Sequence, residues 1–427
     1  MNLIGEMELF RAFRSRNYTF YFFGRAISQF GTWMQRTAVV WLVYSFTHSA
    51  FLTGVTIFAE TFPSFLFSIP GGVMADRFNR YKIIKVTQIL SMVQAVLLAT
   101  LILTGHMVIW AVLVLSVILG IINAFDVSAR QAFVHEVVAD QADLPNAISL
   151  TTATASLAQL LGPAAAGLVL NAFGAPVCFL LNAASFAAVF ISVALMKLSD
   201  KPLHKTDKKV LAEFAEGFNY LKKTPNLFML ILMLAIVSLL VQPFNTVLPV
   251  FASVIFKGDA STFGYITSFI GIGAVINTIY LASRKPGAAL KIILLISTIV
   301  LGAGLICFSQ IKSFSLAMVF AVIMGFGSMS TFAVCNIIVQ SESAPHMRGR
   351  IIGILMMAIF GMTPLGSLVV GAVSQHIGAP TTVLFQGIIC LLIALCFTRF
   401  LTKRSPKSIL NDNILNESAE LIEENYE

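Results

Sequence analysis

Long apolar runs, interrupted by short polar bursts, follow one another along almost the whole chain. A helix that crosses a membrane needs about 20 predominantly apolar residues. Twelve runs are long enough, and they lie at 18–45, 51–71, 83–104, 107–131, 147–171, 176–197, 226–254, 262–282, 289–308, 314–339, 350–375 and 381–402. The pattern therefore predicts an all-α polytopic membrane protein with twelve transmembrane helices.

The polar gap between the sixth and seventh runs is longer than the others and divides the twelve runs into six and six. It predicts an N-terminal six-helix bundle, a cytoplasmic linker, a C-terminal six-helix bundle and a polar cytoplasmic tail, at residues 1–197, 198–225, 226–402 and 403–427. Apolar residues of the linker recur on one helical stripe, at Leu211, Phe214, Phe218 and Leu221. This spacing is typical of a helix lying on the inner leaflet, and an ordinary linker is an equal alternative.

The composition narrows the class of protein. Charged residues make up only 11% of the chain and apolar residues 57%, against about 25% and 45–50% in soluble globular proteins. The net charge of +8 comes from short bursts of Lys and Arg between apolar runs, whereas a nucleic-acid-binding domain carries such residues on a solvated face. A soluble enzyme and a nucleic-acid partner are therefore excluded. The five cysteines lack metal-ligand spacing, so we expect neither a metal nor another cofactor.

Positive residues lie predominantly on one side of the predicted membrane. With the N-terminus inside, 24 of the 28 Lys and Arg residues fall on the cytoplasmic side or at its border. Of the other four, Arg25 and Arg36 lie inside the first span, and only Lys257 and Lys312 fall in outer loops. Cytoplasmic loops of membrane proteins carry an excess of Lys and Arg. Both termini are therefore predicted to be cytoplasmic.

The two halves of the chain share a short repeat. An offset of 204 residues places five residues on identical partners: Gly162 on Gly366, Gly167 on Gly371, Gly174 on Gly378, Ala175 on Ala379 and Pro176 on Pro380. The fifth predicted helix thus recurs as the eleventh. Duplicated halves are typical of secondary transporters, which build their substrate site at the interface of the two repeats.

Two motifs carry a family resemblance. The segment Gly72-Val-Met-Ala-Asp76-Arg77-Phe-Asn79-Arg80-Tyr-Lys82 resembles the signature G-x-L-x-D-R-x-G-R-x-K of the major facilitator superfamily, with Asn79 where glycine is usual. Asparagine tolerates a left-handed turn better than most residues. The segment Gly162-Pro163-Ala-Ala-Ala-Gly167 resembles the G-P-x-x-x-G signature of the exporters in that superfamily.

Other segments are similar to the branch that holds the enterobactin exporter and the macrolide efflux proteins. They include Ile27-Ser-Gln29-Phe-Gly31-Thr-Trp33-Met, Phe125-Asp126-Val-Ser-Ala-Arg130-Gln-Ala-Phe and Pro249-Val-Phe-Ala. The resemblance implies a monomeric transporter of the bacterial inner membrane that exports a small amphiphilic molecule, siderophore or drug-like, by alternating access and proton antiport. The alternatives are a lysophospholipid flippase-like facilitator and a non-transporting membrane receptor or scaffold. The chain contains no GxxxxGK[ST] loop, so an ion or solute gradient must supply the energy.

Two charges fall inside the predicted membrane. Arg36 lies just past the middle of the first span and Glu60 near the middle of the second, which runs antiparallel to it. An embedded charge costs about 2.5–3.5 kcal/mol on insertion scales and needs a partner or a wet cavity. We expect an Arg36–Glu60 pair facing the cavity, with Glu60 as the proton-coupling carboxylate. The alternatives are a permanently ionised pair that orients two helices and direct binding of an anionic substrate group by Arg36.

Further polar residues are predicted to line the substrate cavity. Three belong to the first span and three to the seventh and tenth spans: Arg25, Gln29, Thr32, Gln242, Asn245 and Asn336.

A charged cluster is predicted at the cytoplasmic rim. It comprises Gly72, Asp76, Arg77, Arg80, Asp126 and Arg130, with Asp126 placed to pair with Arg77 or Arg80. In the superfamily such a cluster holds the two bundles in the outward-open state, so the resemblance implies a cytoplasmic gate. The alternative is loop anchoring by surface ion pairs, worth about 0–1 kcal/mol each. Gly162, Pro163 and Gly167 are predicted to permit close helix approach and a bend, or simple small-residue packing.

Overall fold

The computed structural model describes residues 8–196, 210–284 and 290–401. Within these ranges a 3-10 turn at Glu8–Arg14 precedes fifteen α-helices. Their bounds are α1 Arg16–Thr47, α2 Ala50–Leu66, α3 Ser68–Arg77, α4 Arg80–Leu103, α5 Ile109–Val137, α6 Leu144–Phe173, α7 Ala175–Ala194, α8 Val210–Lys223, α9 Pro225–Leu240, α10 Leu248–Val250, α11 Ala260–Ala282, α12 Leu290–Gln310, α13 Phe314–Glu342, α14 Arg348–Ile377 and α15 Ala379–Leu401.

The described helices confirm an all-α polytopic membrane protein. Ten helical segments are long and apolar enough to cross a membrane, and the bent pair α2 and α3 makes an eleventh if it counts as one span. The remaining long helix, α1, has 32 residues and carries Arg25, Gln29, Gln35 and Arg36 among its apolar residues. Each of the twelve predicted runs overlaps a helix.

The second predicted span is bent. α2 and α3 meet at Phe67 at an angle of 45°. Pro70 stands in the first turn of α3 and has no amide N–H to donate to the carbonyl of Leu66, so a continuous helix loses a hydrogen bond at this point. Beyond the bend α3 packs against α5, where Gly71 lies directly against the carbonyl of Ala124.

The seventh predicted span, 226–254, is also interrupted. α9 ends at Leu240, and a 3-10 segment, Gln242–Val247, follows it before α10. Pro243 cannot donate the amide hydrogen bond that a continuous helix requires. At this break the amide Nε2 of Gln386 donates to the carbonyls of Leu240 and Val241, at 3.1 and 3.3 Å.

The apolar cores follow the two halves of the chain. The largest cluster contains residues of α8 to α15 and of the segments around α10. Among the described residues of the first half, Val40 is its one buried member. Two other large clusters draw almost entirely on α1 to α7 and the residues beside them. The fold therefore consists of two helical bundles. The boundaries at 197 and 225 remain predictions, and residues 197–209 and the tail 403–427 lie outside the described residues.

The apolar stripe of the predicted linker falls within α8. Glu216 forms an ion pair with Arg350 of α14 at 2.7 Å. Leu221 is fully buried, and the amide of Ala344 donates to the hydroxyl of Tyr220 at 3.3 Å. α8 is therefore attached to the second bundle.

The two bundles touch along α2 with α14 and along α6 with α11. Glycines make the closest approaches: a Cβ on Gly54 would collide with the carbonyl of Ser367, and a Cβ on Gly264 with the carbonyl of Pro163. The hydroxyl of Ser49 donates to Gln375 Oε1 at 3.1 Å. All these contacts lie toward the predicted outer side, so the bundles are closed there.

Candidate functional site

The structure brings Arg36 and Glu60 together. The distance from Arg36 Nε to Glu60 Oε1 is 3.0 Å, and their side chains are 39% and 10% exposed. The guanidinium carbon of Arg36 also lies 5.5 Å from the centroid of the Trp33 ring, a cation–π distance. Glu60 is fixed against α5, because its carbonyl abuts Gly120, where no Cβ would fit. The pair therefore has one sheltered member and one member that faces open space.

A small polar pocket adjoins this pair. Thr32, Gln35, Asn123 and Asn182 contribute to its walls beside Arg36 and Glu60, and its volume is about 10 Å³. That volume holds about one water molecule. The pocket offers both charged side chains a polar surrounding inside the bundle.

A buried amide network supports the pair and has no counterpart in the sequence prediction. Asn182 Nδ2 donates to Gln35 Oε1 at 2.8 Å, and Gln35 Nε2 donates to Gln94 Oε1 at 3.0 Å. Gln94 Nε2 donates in turn to the carbonyl of Leu115 at 3.2 Å. The network ties α1 to α4, α5 and α7. Because Gln35 precedes Arg36, it also fixes the part of α1 that carries the arginine.

We expect Gln35→Leu to lower the stability of the protein by about 1–3 kcal/mol, since it leaves buried polar groups of Gln94 and Asn182 without partners. The measurement is the melting temperature of the purified protein. Gln310→Leu is the matched control, because Gln310 is exposed at the end of α12. Equal melting temperatures for the two variants would contradict a structural role of the network.

The other predicted cavity residues of α1 are Arg25, Gln29 and Thr32, and each has a different environment in the first bundle. Gln29 is buried, and its Oε1 has no hydrogen-bond partner among the described residues. Thr32 donates to the carbonyl of Ser28 at 2.8 Å. Arg25 is half-buried and interacts electrostatically with Asp126.

The predicted cavity residues of the second half lie apart from one another. Gln242 Oε1 accepts a hydrogen bond from Ser328 at 2.8 Å, and Asn245 is exposed. Asn336 Oδ1 accepts from Gln340 at 3.1 Å. None of these three residues is part of the Arg36–Glu60 pair or of the pocket beside it.

The predicted rim residues Gly72, Asp76 and Arg77 lie in α3, and Arg80 is the first residue of α4. Arg80 forms an ion pair with Glu136 at 2.5 Å and lies 3.9 Å from Asp76. Arg77 is exposed, and Gly72 faces open space. Glu136 was not predicted as a partner of Arg80. The signal for it was its place at the end of α5, on the same predicted membrane side as Arg80 at the start of α4.

Asp126 pairs differently from the prediction. Its Oδ2 lies 2.6 Å from Arg130 on the next turn of α5, and both residues are about 95% buried. Thr87 and Gln88 donate to its Oδ1 at 2.7 and 3.0 Å. The expected pairing with Arg77 or Arg80 is wrong, because Asp126 turns into the bundle while Arg80 contacts Glu136.

The second bundle contains an equivalent of the Arg80–Glu136 pair. Lys291 at the start of α12 lies 3.1 Å from Glu342 at the end of α13, as Arg80 at the start of α4 lies beside Glu136 at the end of α5. Each pair joins two helices of the same bundle. The repeat therefore extends to ion pairs at the predicted cytoplasmic ends of the helices, which the sequence comparison of the halves did not reveal.

The glycine–proline motif of α6 lies at two interfaces. Gly162 packs against Trp33 of α1, and Gly167 packs against Ala260 and Gly264 of α11. Pro163 is inside α6, and its carbonyl is the group that Gly264 approaches. The glycines of the motif thus lie at close helix approaches both within the first bundle and between the bundles.

Solved structures share this fold. The nucleoside transporter NupG superposes with a TM-score of 0.70 at 14% identity, over 93% of this chain and all of that one. A bacterial homologue of the human lysosomal transporter Spinster, in an inward-facing and unoccupied conformation, superposes with a TM-score of 0.69 at 14% identity, over 91% and 99% of the two chains. The chain therefore has the same fold as these two structures.

Sequence comparisons identify the family. The chain is 26% identical to the staphyloferrin A transporter of Staphylococcus aureus, over 89% of this chain and 95% of that protein. It is 22% identical to the multidrug efflux pump Tap of Mycolicibacterium fortuitum, over 83% and 88%, and 22% identical to macrolide efflux protein A of Streptococcus pyogenes, over 91% and 96%. The model of the transmembrane secretion effector family matches residues 9–421, and the chain belongs to this family. It is a multi-pass membrane transporter and not an enzyme, as the sequence predicted.

Proposed function

We propose that this protein exports a small amphiphilic molecule, siderophore or drug-like, while protons move in the opposite direction. The observation that carries the proposal is the Arg36–Glu60 pair: an ionisable carboxylate inside the membrane, sheltered and held by one arginine. Ionisable residues at such depth are costly, and in transporters they mark ion and substrate pathways. The relatives named for siderophore, multidrug and macrolide transport support the choice of cargo.

In the proposed cycle the cargo reaches the site from the inner side of the membrane while the bundles are closed on the outer side. Ionised Glu60 is then paired with Arg36. After the bundles rock, Glu60 takes up a proton from outside, which removes its charge and frees Arg36 from the ion pair. The protonated site favours release of the cargo. Loss of the proton to the cytoplasm returns the pair to the geometry seen here.

The rim residues Asp76, Arg77 and Arg80 form the proposed cytoplasmic gate. Asp76 and Arg77 are exposed in the present state, so they are available to contact the second bundle when the cytoplasmic halves approach. The Asp126–Arg130 pair is buried in the first bundle and acts on the gate by fixing α5. A monomer in the bacterial inner membrane, with both termini cytoplasmic, completes the proposal.

The proposal is tested by comparing the small molecules secreted by a deletion strain and by its complemented parent under iron limitation, using mass spectrometry. We expect at least one compound to disappear from the medium of the deletion strain and to accumulate in its cells. An iron-chelating compound would identify a siderophore exporter. A secretome that is unchanged, together with unchanged accumulation of a panel of drugs, would contradict export.

A further inference from the structure

An apolar cleft lies between α2 and α14 around the contact of Phe65 with Gly361. It is on the cytoplasmic side of the closest approach of the two helices, that of Gly54 to the carbonyl of Ser367. Its volume is about 230 Å³, larger than the roughly 150 Å³ cavity that takes up benzene. Its walls are formed by Phe62, Phe65, Ile354, Met357, Ala358 and Met362. Because these side chains offer hydrocarbon, ring and thioether surface only, the cleft suits an alkyl chain or an aromatic ring and not a charged group.

The bend between α2 and α3 accounts for the cleft. At Phe67 the chain turns by 45°, and α3 continues along α5 of its own bundle. α14 has no such break at this level and runs unbroken from Arg348 to Ile377. The two helices therefore touch along their outer halves and diverge toward the cytoplasmic side, which leaves the cleft between the bundles.

α2 presents a ladder of aromatic rings on the side of the cleft. Phe58, Phe62 and Phe65 follow the i, i+4, i+7 spacing of one helix face. The ring centroids of Phe58 and Phe62 are 4.6 Å apart, and those of Phe62 and Phe65 are 5.9 Å apart. Glu60 lies on another face, against α5, and within about 8 Å of Phe65 along the helix axis. The ladder and the charged pair are thus neighbours on one helix.

The two walls of the cleft belong to different bundles, and this determines what can occupy it. When the cytoplasmic halves approach during the transport cycle, the cleft must close. A permanently bound lipid chain would obstruct that closure, whereas a molecule that moves on to the site would not. The cleft therefore fits a transient occupant.

We propose that this cleft is the route by which the apolar part of the cargo passes from the inner leaflet of the membrane into the transporter. The inference rests on the proposed export of an amphiphilic molecule and adds its path: the cargo is taken from the membrane and not from the cytoplasm. Its apolar part, an alkyl chain or an aromatic system, slides past the phenylalanine ladder, and its polar part reaches the Arg36–Glu60 site.

The test fills the cleft. Ala358→Trp places a large ring between α2 and α14, and Ala184→Trp makes the same change at an exposed position of α7. Cells expressing each full-length variant are loaded with Hoechst 33342, which partitions into membranes, or with carboxyfluorescein, which stays in water. We expect Ala358→Trp to slow the export of Hoechst 33342 by about tenfold, with an unchanged melting temperature and without slowing any export of carboxyfluorescein. Ala184→Trp should leave both rates unchanged.

The outcomes separate the two proposals. Normal export of Hoechst 33342 by Ala358→Trp would overturn the membrane route and leave the export function intact. Export of carboxyfluorescein alone by the unsubstituted protein would also overturn the route, since such cargo never enters the membrane. If the unsubstituted protein exports neither dye and no compound is missing from the secretome of the deletion strain, the proposed function fails, and the route with it.

Discussion

Glu60→Gln is expected to abolish coupled export, lowering the rate by about a hundredfold or more, while the protein still folds. The glutamine amide has nearly the shape of the carboxylate but neither takes up nor releases a proton in the physiological range. The fold should tolerate the change because Arg36 is 39% exposed and keeps its contact with Trp33. The measurement is export of the missing compound by deletion cells that express the variant.

A matched control is Glu342→Gln. Glu342 also forms an ion pair, with Lys291, but at the end of α13 and not inside the membrane. This variant should export at the normal rate. Undiminished export by Glu60→Gln, with the variant present at normal amounts in the membrane, would remove Glu60 from the coupling mechanism.

Gly264→Leu is expected to lower transport by about a hundredfold or more without lowering the melting temperature. A Cβ at this position would collide with the carbonyl of Pro163 in the other bundle, so the outer side cannot close. The bundles themselves remain intact, because the collision falls between them. Efflux is measured on cells that produce the variant, and the melting temperature is measured on the protein purified from those cells.

Two glycines serve as controls for this prediction. Gly273 lies on the same helix but faces Val322 and Phe326 of its own bundle, so Gly273→Leu should lower the melting temperature. Gly353 faces open space, and Gly353→Leu should be neutral in both assays. Normal transport by a stable Gly264→Leu variant would show that close contact of α6 with α11 is not required in the cycle.

The Arg36–Glu60 pair was predictable because charge is rare in apolar runs. Arg36 and Glu60 have opposite charges and lie at matching depths in neighbouring antiparallel spans, where few other charged partners exist. Their depth and the sign of their charges are therefore enough to predict the pair. The same reasoning was insufficient for Asp126, for which several arginines were available. In the structure Asp126 is buried and pairs with Arg130, which lies one turn away on the same helix and is buried with it.

The amide network around Gln35 escaped prediction for a physical reason. Glutamine and asparagine carry no net charge and both donate and accept hydrogen bonds, so sequence gives neither a sign nor a unique partner for Gln94 or Asn182. The break after α9 had a visible signal in Pro243. The apolar cleft had none, because it depends on the angle at Phe67 and on the distance between helices that are almost 300 residues apart in the chain.

The measurement that tests the account most directly follows protons and cargo together. The purified protein is reconstituted into liposomes that contain the exported compound and a pH-sensitive dye, and the external compound is then removed. Proton antiport predicts that loss of the compound acidifies the lumen, and that Glu60→Gln shows no such acidification. Loss of the compound at constant lumenal pH, or with the lumen becoming alkaline, would contradict proton antiport through Glu60.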